Sequence, residues 1–163
     1  MPRMTMEDRE IFLRQPHNGI LATLRADGRP YTVPVGWLWD GDAFWLIGTP
    51  SRVWYGHLRR DPRVSLCIEA KTPISGHIGV DGIAFGLEPP EFDIWPIARQ
   101  MATKYRADQG PGVVEALLAK WRTEPRLLVK IEPQVWRAID MRVYRGKAAD
   151  REYTASLSRP PSE

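Results

Sequence analysis

Hydrophobic and polar residues alternate strictly over YTVPVGWLW (Tyr31–Trp39), which is the pattern of a half-buried β-strand. A continuous apolar run, ILATL (Ile20–Leu24), precedes it, and Asp27-Gly28 between the two is a hairpin signal. A second turn signal at Asp40–Asp42 leads into AFWLIG. The pattern therefore predicts a three-stranded meander. The inward face of its middle strand carries Tyr31, Val33, Val35, Trp37 and Trp39.

Two residues of this middle strand restrict its position in the sheet. Pro34 has no N–H to donate, which predicts an edge strand or a bulge near Pro34. Gly36 lets another group approach the backbone closely. Two interpretations fit these residues equally: a place for a bound ring, or an ordinary edge strand.

The rest of the chain mixes strands and helices. The segment MEDREIFLRQ is compatible with a helix, and apolar stripes at helical spacing recur from Ile94 to Tyr105 and from Val114 to Trp121. Further strands are predicted at Arg63–Glu69 and Gly76–Glu88, with a bulge at Asp81-Gly82, and two short closing strands at Leu127–Ile131 and Val135–Asp140. The order indicates an α+β domain built on a mostly antiparallel barrel. We expect one domain over residues 1–144 and a mobile, polar tail over residues 145–163.

The stretch TPSRVWYGHLRRDPR (Thr49–Arg63) has the form of a helix start, with Thr49 as N-cap and Pro50 at the first helical position. On this interpretation, free backbone N–H groups at Thr49–Arg52 lie beside the hydroxyls of Thr49 and Ser51 and the Arg52 guanidinium. Such a combination of groups binds phosphate. At helical spacing, one face carries Val53, Trp54, His57 and Leu58, and another carries Arg52, Tyr55 and Arg59. The alternatives are a nucleic-acid patch and a plain solvated helix face.

Composition narrows the class of protein. The 163 residues are 43% hydrophobic with a net charge of +3, as in an ordinary globular domain with one core. No apolar run is long enough for a membrane span, and the start of the sequence lacks the apolar core of a secretory signal, so we expect a cytoplasmic protein. Nucleic-acid binding needs a wider basic surface than Thr49–Arg63 provides, and it is not expected. Seven tryptophans supply core mass and stacking surfaces.

Catalytic side chains are hard to find. The three histidines, His17, His57 and His77, lack metal-type spacing, so no metal site is predicted. The single cysteine, Cys67, alternates with apolar residues and faces the opposite side of its strand, which argues against a nucleophile. No catalytic residue is therefore assigned, and any chemistry is expected to belong to a cofactor.

The segment from ILATLRADGRP through GTPSR to LRRDPRVSLCIE resembles the split β-barrel family of pyridoxamine 5′-phosphate oxidase-like proteins. The resemblance covers about Gly19 to Glu88 and is strongest at LATLRADGRP, SR and LRRDPRVSL. It implies a six- to seven-stranded split barrel with flanking helices, and a homodimer with two flavin-type sites between the subunits. FMN is the expected cofactor, with the deazaflavin coenzyme F-420 as the alternative.

The resemblance also implies site residues. The strand from Tyr31 lies along the cofactor, the segment from Gly48 holds its phosphate, His77 reaches it from the other subunit, and the last strand approaches ring or substrate, with Arg137 beside it. The cofactor-binding residues implied are Tyr31, Thr32, Val33, Pro34, Gly48, Thr49, Ser51, Arg52, His77 and Trp136.

This sequence departs from the family pattern at the phosphate segment. A lysine usually follows the serine–arginine pair, whereas Val53 and Trp54 stand here, and Arg29 is a candidate to compensate. The insert from Gly86 to Gly110 also departs, which argues against pyridoxamine phosphate as the substrate.

The function expected is hydride transfer between the bound cofactor and a small organic substrate. By chemistry alone, Tyr31, Tyr55 or His77 could donate a proton. The alternative function is a non-catalytic flavin or tetrapyrrole carrier.

Overall fold

The structure, a computed structural model, describes residues 2–144 of the chain. The predicted tail, 145–163, lies outside the described residues. Seven antiparallel strands form one sheet in the order β2-β1-β5-β6-β7-β4-β3, and four helices flank it. The strands are β1 (Gly19–Leu24), β2 (Pro30–Val35), β3 (Leu38–Trp39), β4 (Phe44–Gly48), β5 (Arg63–Ala70), β6 (Gly76–Leu87) and β7 (Leu127–Asp140). The helices are α1 (Met6–Arg14), α2 (Val53–Arg60), α3 (Trp95–Arg106) and α4 (Val113–Trp121).

The two edge strands show how the sheet curls. β2 and β3 occupy opposite edges, yet only Gly36 and Trp37 separate them along the chain. A two-residue link spans roughly 10 Å, so the sheet must bend round until its edges come close at that end. The result is a split β-barrel of the α+β class, as expected.

The predicted meander is wrong in one respect. Residues 31–39 are not one strand: β2 pairs with β1, and β3 pairs with β4 at the far edge. The break lies where Trp37 becomes fully buried and its backbone N–H donates to the Tyr105 hydroxyl, at 3.0 Å. That hydroxyl donates in turn to the His17 carbonyl at 3.0 Å. Gly36 therefore admits Tyr105, whose ring lies 3.6 Å from where a Cβ on Gly36 would be.

Several local predictions are confirmed. The Asp27-Gly28 hairpin joins β1 to β2, with Gly28 at φ +80°. β2 is an edge strand, as Pro34 requires. In β5, apolar residues are buried alternately while Cys67 is exposed. The register between β6 and β7 shifts at Asp81/Gly82, as predicted.

The C-terminal strands differ from the prediction. Leu127–Asp140 is one continuous strand rather than two short ones, and it pairs with β6 along its length and with β4 over its first half. The extra residue at the register shift is Gln134, since Asp81 faces Val135 and Gly82 faces Pro133. The bulge allows this strand to bend without ending.

The segment that departs from the oxidase pattern forms a helical hairpin, α3 with α4. Arg99 of α3 makes a two-pronged ion pair with Glu115 of α4. The side chain of Lys104 reaches α1, where its ammonium donates to the Leu13 carbonyl at 3.0 Å and lies 3.1 Å from the centre of the Trp37 ring. The hairpin is thus attached to the barrel close to the link between β2 and β3.

Candidate functional site

Helix α2 begins later than predicted. Arg52 is its N-cap and Val53 its first residue, so Thr49, Pro50 and Ser51 belong to the turn that leads into it. The predicted faces hold for Trp54 and Leu58, which are both buried, but Val53 is 60% exposed and Tyr55 only 6% exposed. The reason is tertiary, because Trp54 and Tyr55 both pack against glycines of the sheet, at Gly48 and Gly86.

A cleft of about 330 Å³ opens where α2 begins. We call it the α2 cleft. It brings together five of the ten residues that the sequence suggested for cofactor binding, together with the start of α2 and one acidic residue. Its lining is Tyr31, Val33, Thr49, Ser51, Arg52, Val53, Trp54 and Glu124.

The polar groups of the α2 cleft suit an anion. The hydroxyls of Thr49 and Ser51 lie 2.9 Å apart and bond to each other. The amides of Val53 and Trp54 occupy the first turn of α2, where no intrahelical acceptor is available. Arg52 is exposed, and its guanidinium makes no ion pair or hydrogen bond with any group of residues 2–144. A free guanidinium beside hydroxyls and unpaired amides is a phosphate-binding arrangement.

Trp54 stands at one of the positions where the family pattern has lysine. It is 5% exposed, and its ring covers Gly48 so closely that a Cβ there would come within 2.8 Å of the indole Cη2. Gly48 is therefore buried beneath Trp54 rather than open to the cleft. Arg29, the candidate to compensate for the lysine, does not line the α2 cleft; its Nε and one terminal nitrogen donate to Asp27 in its own hairpin, at 2.8 and 2.6 Å.

Glu124 was not predicted from the sequence. It follows α4 and lines the α2 cleft, but its carboxylate is paired with the guanidinium of Arg126. Arg126 is largely buried, so this pairing offsets most of the negative charge near the phosphate-binding groups. No local motif identifies Glu124, because only the packing of α4 beside β4 brings it here.

Tyr31 forms the aromatic wall of the α2 cleft and is surrounded by basic groups. Its ring meets that of His57 edge-on at 5.1 Å, and the Arg25 guanidinium lies 5.4 Å from its centre. His57 Nδ1 is 2.9 Å from the hydroxyl of Thr23, which is buried. Burial, followed by the nearby Arg60 and Arg25, lowers the pKa of His57. A neutral imidazole is therefore favoured behind Tyr31 at neutral pH.

The other predicted residues lie elsewhere. Thr32 and Pro34 are exposed and point to the opposite side of β2 from Tyr31 and Val33, as strand alternation requires. His77 and Trp136 line a different cavity, of about 550 Å³, between the N-terminal segment and β7. We call it the N-terminal cavity.

The N-terminal cavity has several basic side chains. The Arg9 guanidinium lies 4.9 Å from the centre of the Trp136 ring, a contact that the sequence did not suggest. Arg137, also in its lining, forks onto Asp81, with its two terminal nitrogens 2.5 and 2.7 Å from the carboxylate oxygens. Within one chain, then, the sequence-predicted residues are divided between two cavities.

Two groups with acid–base or nucleophilic chemistry are held in other roles. The Tyr55 hydroxyl donates to Glu88 at 2.7 Å, and burial with that carboxylate raises the pKa of Tyr55 to about 12. Tyr55 does not line the α2 cleft, so it is not placed to donate a proton there. Although Cys67 is exposed, partial desolvation of its sulfur, followed by the nearby Glu69, raises the pKa of the thiol. Among residues 2–144, no helix is long and apolar enough to cross a bilayer.

Comparisons with solved structures agree with the fold. An F420 reductase is 22% identical, with a TM-score of 0.60 over 78% of this chain and 94% of that one. A conserved hypothetical protein from Mycobacterium tuberculosis is 22% identical, with a TM-score of 0.64 over 98% of this chain and 91% of that one. The heme storage protein HutZ from Vibrio cholerae is 16% identical, with a TM-score of 0.63 over 85% and 95%. At these identities the likeness concerns the fold alone.

No curated protein matches the sequence significantly. The family model described as pyridoxamine 5′-phosphate oxidase, however, matches residues 5–140, which include every strand of the sheet and all four α-helices. The match extends well beyond the Gly19–Glu88 segment that carries the resemblance in the sequence. By its sequence and its split barrel, this chain belongs to the pyridoxamine 5′-phosphate oxidase family.

Proposed function

We propose that this protein is an oxidoreductase in which FMN, or alternatively the deazaflavin F-420, exchanges hydride with a small organic substrate. The observation that carries the proposal is the exposed Arg52, unpaired within residues 2–144, at the start of α2. It stands beside the hydroxyls of Thr49 and Ser51, at the segment that holds the phosphate in the family pattern. The absence of an assigned catalytic side chain agrees with chemistry that resides in a cofactor.

The residues of the α2 cleft fit one phosphate better than several. Arg52 supplies a full positive charge, and the first-turn amides of α2 add partial charges. Trp54 in place of a lysine removes a second cation. This favours FMN, with its single phosphate, over the longer anionic tail of F-420.

The five predicted residues of the α2 cleft divide into two proposed roles. Arg52, Thr49 and Ser51 bind the phosphate, while Tyr31 and Val33 form a wall against the flat part of the cofactor and exclude water from it. The bound cofactor supplies the hydride chemistry. Arg25 and a neutral His57 hold the Tyr31 ring in place from behind.

A second subunit completes this proposal. His77 and Trp136 line the N-terminal cavity, not the α2 cleft, so they can reach a cofactor in that cleft only from another copy of the chain. A homodimer is therefore part of the proposed function. Light scattering during size-exclusion chromatography tests it, and a monomer at micromolar concentration would remove His77 and Trp136 from the site.

The test of the phosphate site is an FMN titration followed by quenching of flavin fluorescence. We expect Arg52→Ala to weaken FMN binding by about 1.5–3 kcal/mol, the cost of a lost charge-assisted hydrogen bond. Arg59→Ala is the matched control, since Arg59 is exposed on the same helix but does not line the cleft. Equal affinities for the two variants would show that the phosphate does not bind at α2. Reduction of an added acceptor by the loaded protein then distinguishes an enzyme from a carrier.

A second candidate function, tetrapyrrole binding without turnover, rests on the N-terminal cavity. This cavity has a volume of about 550 Å³. Its lining includes His77, a residue type that serves as an axial ligand of heme iron, and Arg3 and Arg9, whose guanidinium groups suit propionates. Titration with hemin, followed by the Soret band, tests this function. A saturable band that His77→Ala shifts or abolishes would favour the carrier, and its absence would leave the oxidoreductase.

A further inference from the structure

The barrel has a gap between the edges of β2 and β4. Only Phe44 and Trp45 of β4 pair with β3, whereas the whole of β4 pairs with β7 on its other side. Among the strands of residues 2–144, none therefore pairs with Leu46–Gly48 on that side. β2 pairs with β1 alone. Because the Gly36–Trp37 link draws these edges together, they face each other across the split of the barrel.

The helical hairpin α3–α4 encloses a cavity at this split. The cavity has a volume of about 400 Å³, within the range of small-molecule sites. We call it the hairpin cavity. Its apolar lining comes from β4 and from both helices, and consists of Ile47, Met101, Ala102, Leu117 and Trp121.

The hairpin cavity adjoins the α2 cleft. Three elements contribute to both: β2 and its link through Val33 and Gly36, β4 and its turn through Thr49 and Ile47, and the end of α4 through Glu124 and Trp121. On each element the two residues are at most three positions apart, which is roughly 10 Å or less of chain. On all three elements the linings of the two sites are therefore close together, which brings a ligand in the hairpin cavity near one in the α2 cleft.

The polar groups of the hairpin cavity are basic or neutral. Arg106 donates to the side-chain oxygen of Gln109 at 3.1 Å, and no carboxylate of residues 2–144 pairs with it. Asn18, also in the lining, adds an exposed amide. The hydroxyl of the neighbouring Tyr105 is hydrogen-bonded to the backbone of Trp37 and His17, and these bonds fix the end of α3. Arg106 is therefore the charged side chain that a ligand in the cavity meets.

We propose that the hairpin cavity is the substrate site and that its substrate is a planar, largely apolar carboxylic acid. The aromatic and aliphatic lining receives the flat body, and Arg106 binds the carboxylate in two-pronged fashion. That this ligand is a substrate rests on the proposed function, because hydride transfer needs it beside a cofactor in the α2 cleft. The hairpin that departs from the oxidase pattern is thus the element that sets specificity.

The experiment compares 2-naphthoate with its neutral isostere 2-naphthamide by isothermal titration calorimetry, with and without saturating FMN. We expect Arg106→Gln to raise the Kd of 2-naphthoate about tenfold or more and to leave that of 2-naphthamide within about twofold. Arg59→Gln is the control and should change neither. Leu117→Trp, which fills the cavity, should weaken both probes, and a normal denaturation curve verifies that it folds.

The outcomes separate this inference from the proposed function. Failure of 2-naphthoate to bind, or binding that neither variant affects, overturns the site even if FMN binds. Displacement of 2-naphthoate by FMN also overturns it, since the cavity would then hold part of the cofactor. Arg106-dependent binding of 2-naphthoate without any FMN binding supports the carboxylate site and refutes the flavin function.

Discussion

The hydroxyl of Tyr105 holds the link between the two edge strands, and its removal gives a direct test of the fold. It accepts the Trp37 N–H at 3.0 Å and donates to the His17 carbonyl at 3.0 Å, with the Trp37 carbonyl a further 3.2 Å contact. Tyr105→Phe keeps the ring beside Gly36 but leaves these backbone groups without their partner. Trp37 is fully buried, so its side chain screens the region from water.

The expected cost follows from these partners. A buried donor left without an acceptor costs about 1–3 kcal/mol, and the lost bond to the His17 carbonyl adds somewhat less. The substitution also removes the free-energy cost of burying the tyrosine hydroxyl, which offsets part of these two losses. The net destabilisation is therefore about 2 kcal/mol. In a chain of 163 residues this corresponds to a lower Tm by about 4–8 °C.

The assay is guanidinium unfolding followed by tryptophan fluorescence, with the thermal midpoint as a second readout. Tyr55→Phe is the matched control, because within the described residues the Tyr55 hydroxyl bonds only to the exposed carboxylate of Glu88, which water can solvate instead. The control should cost less than about 1 kcal/mol. If Tyr105→Phe costs no more than Tyr55→Phe, the Tyr105 hydroxyl does not hold the link, and the break between β2 and β3 has another cause.

Three further predictions concern other parts of the fold. Burial lowers the pKa of Lys104 to about 7, so between about pH 7 and pH 10 the unfolded chain binds a proton that the native one lacks. Stability should therefore rise with pH over that range, and Lys104→Met should flatten the rise in denaturation midpoints. Gly48→Ala should lower stability by about 1–3 kcal/mol because its Cβ would press on Trp54. Gly56→Ala, with open space around it, should be neutral or stabilising, and equal thermal midpoints for the two variants would contradict this prediction. The raised pKa of Cys67 should make its alkylation by iodoacetamide slower near pH 7 than that of a free cysteine, and an equal rate would show that the thiol is not perturbed.

Local sequence was sufficient to predict the structure wherever residues close together in the chain determine it. The Asp27-Gly28 turn, the alternation that turns Cys67 outward and the irregularity at Asp81-Gly82 all depend on backbone preferences within a few residues. The grouping of Thr49, Ser51 and Arg52 was predictable for the same reason, since these residues are adjacent in the chain. The family match over residues 5–140 agrees with what these segments indicated.

Only the tertiary structure decided which segments meet. The alternation from Tyr31 to Trp39 indicates which side of a strand is apolar. It does not indicate that the strand breaks at Gly36, because the break depends on Tyr105 from α3. The start of α2 at Val53, rather than after Thr49, is accompanied by the packing of Trp54 on Gly48. Contacts between distant segments depend on how the whole apolar surface is buried, and a pattern read along one segment carries no information about its partners.

The division of the candidate site has the same origin. Glu124 enters the α2 cleft, and His77 with Trp136 enters the N-terminal cavity, because of where α4, β6 and β7 pack. The residue types along the chain determined what chemistry is available at the α2 cleft: an arginine without a partner in residues 2–144, two hydroxyls and an aromatic wall. Their distribution over separate cavities was decided by the curl of the sheet, which brings together residues far apart in sequence and separates others on opposite faces of the same strand.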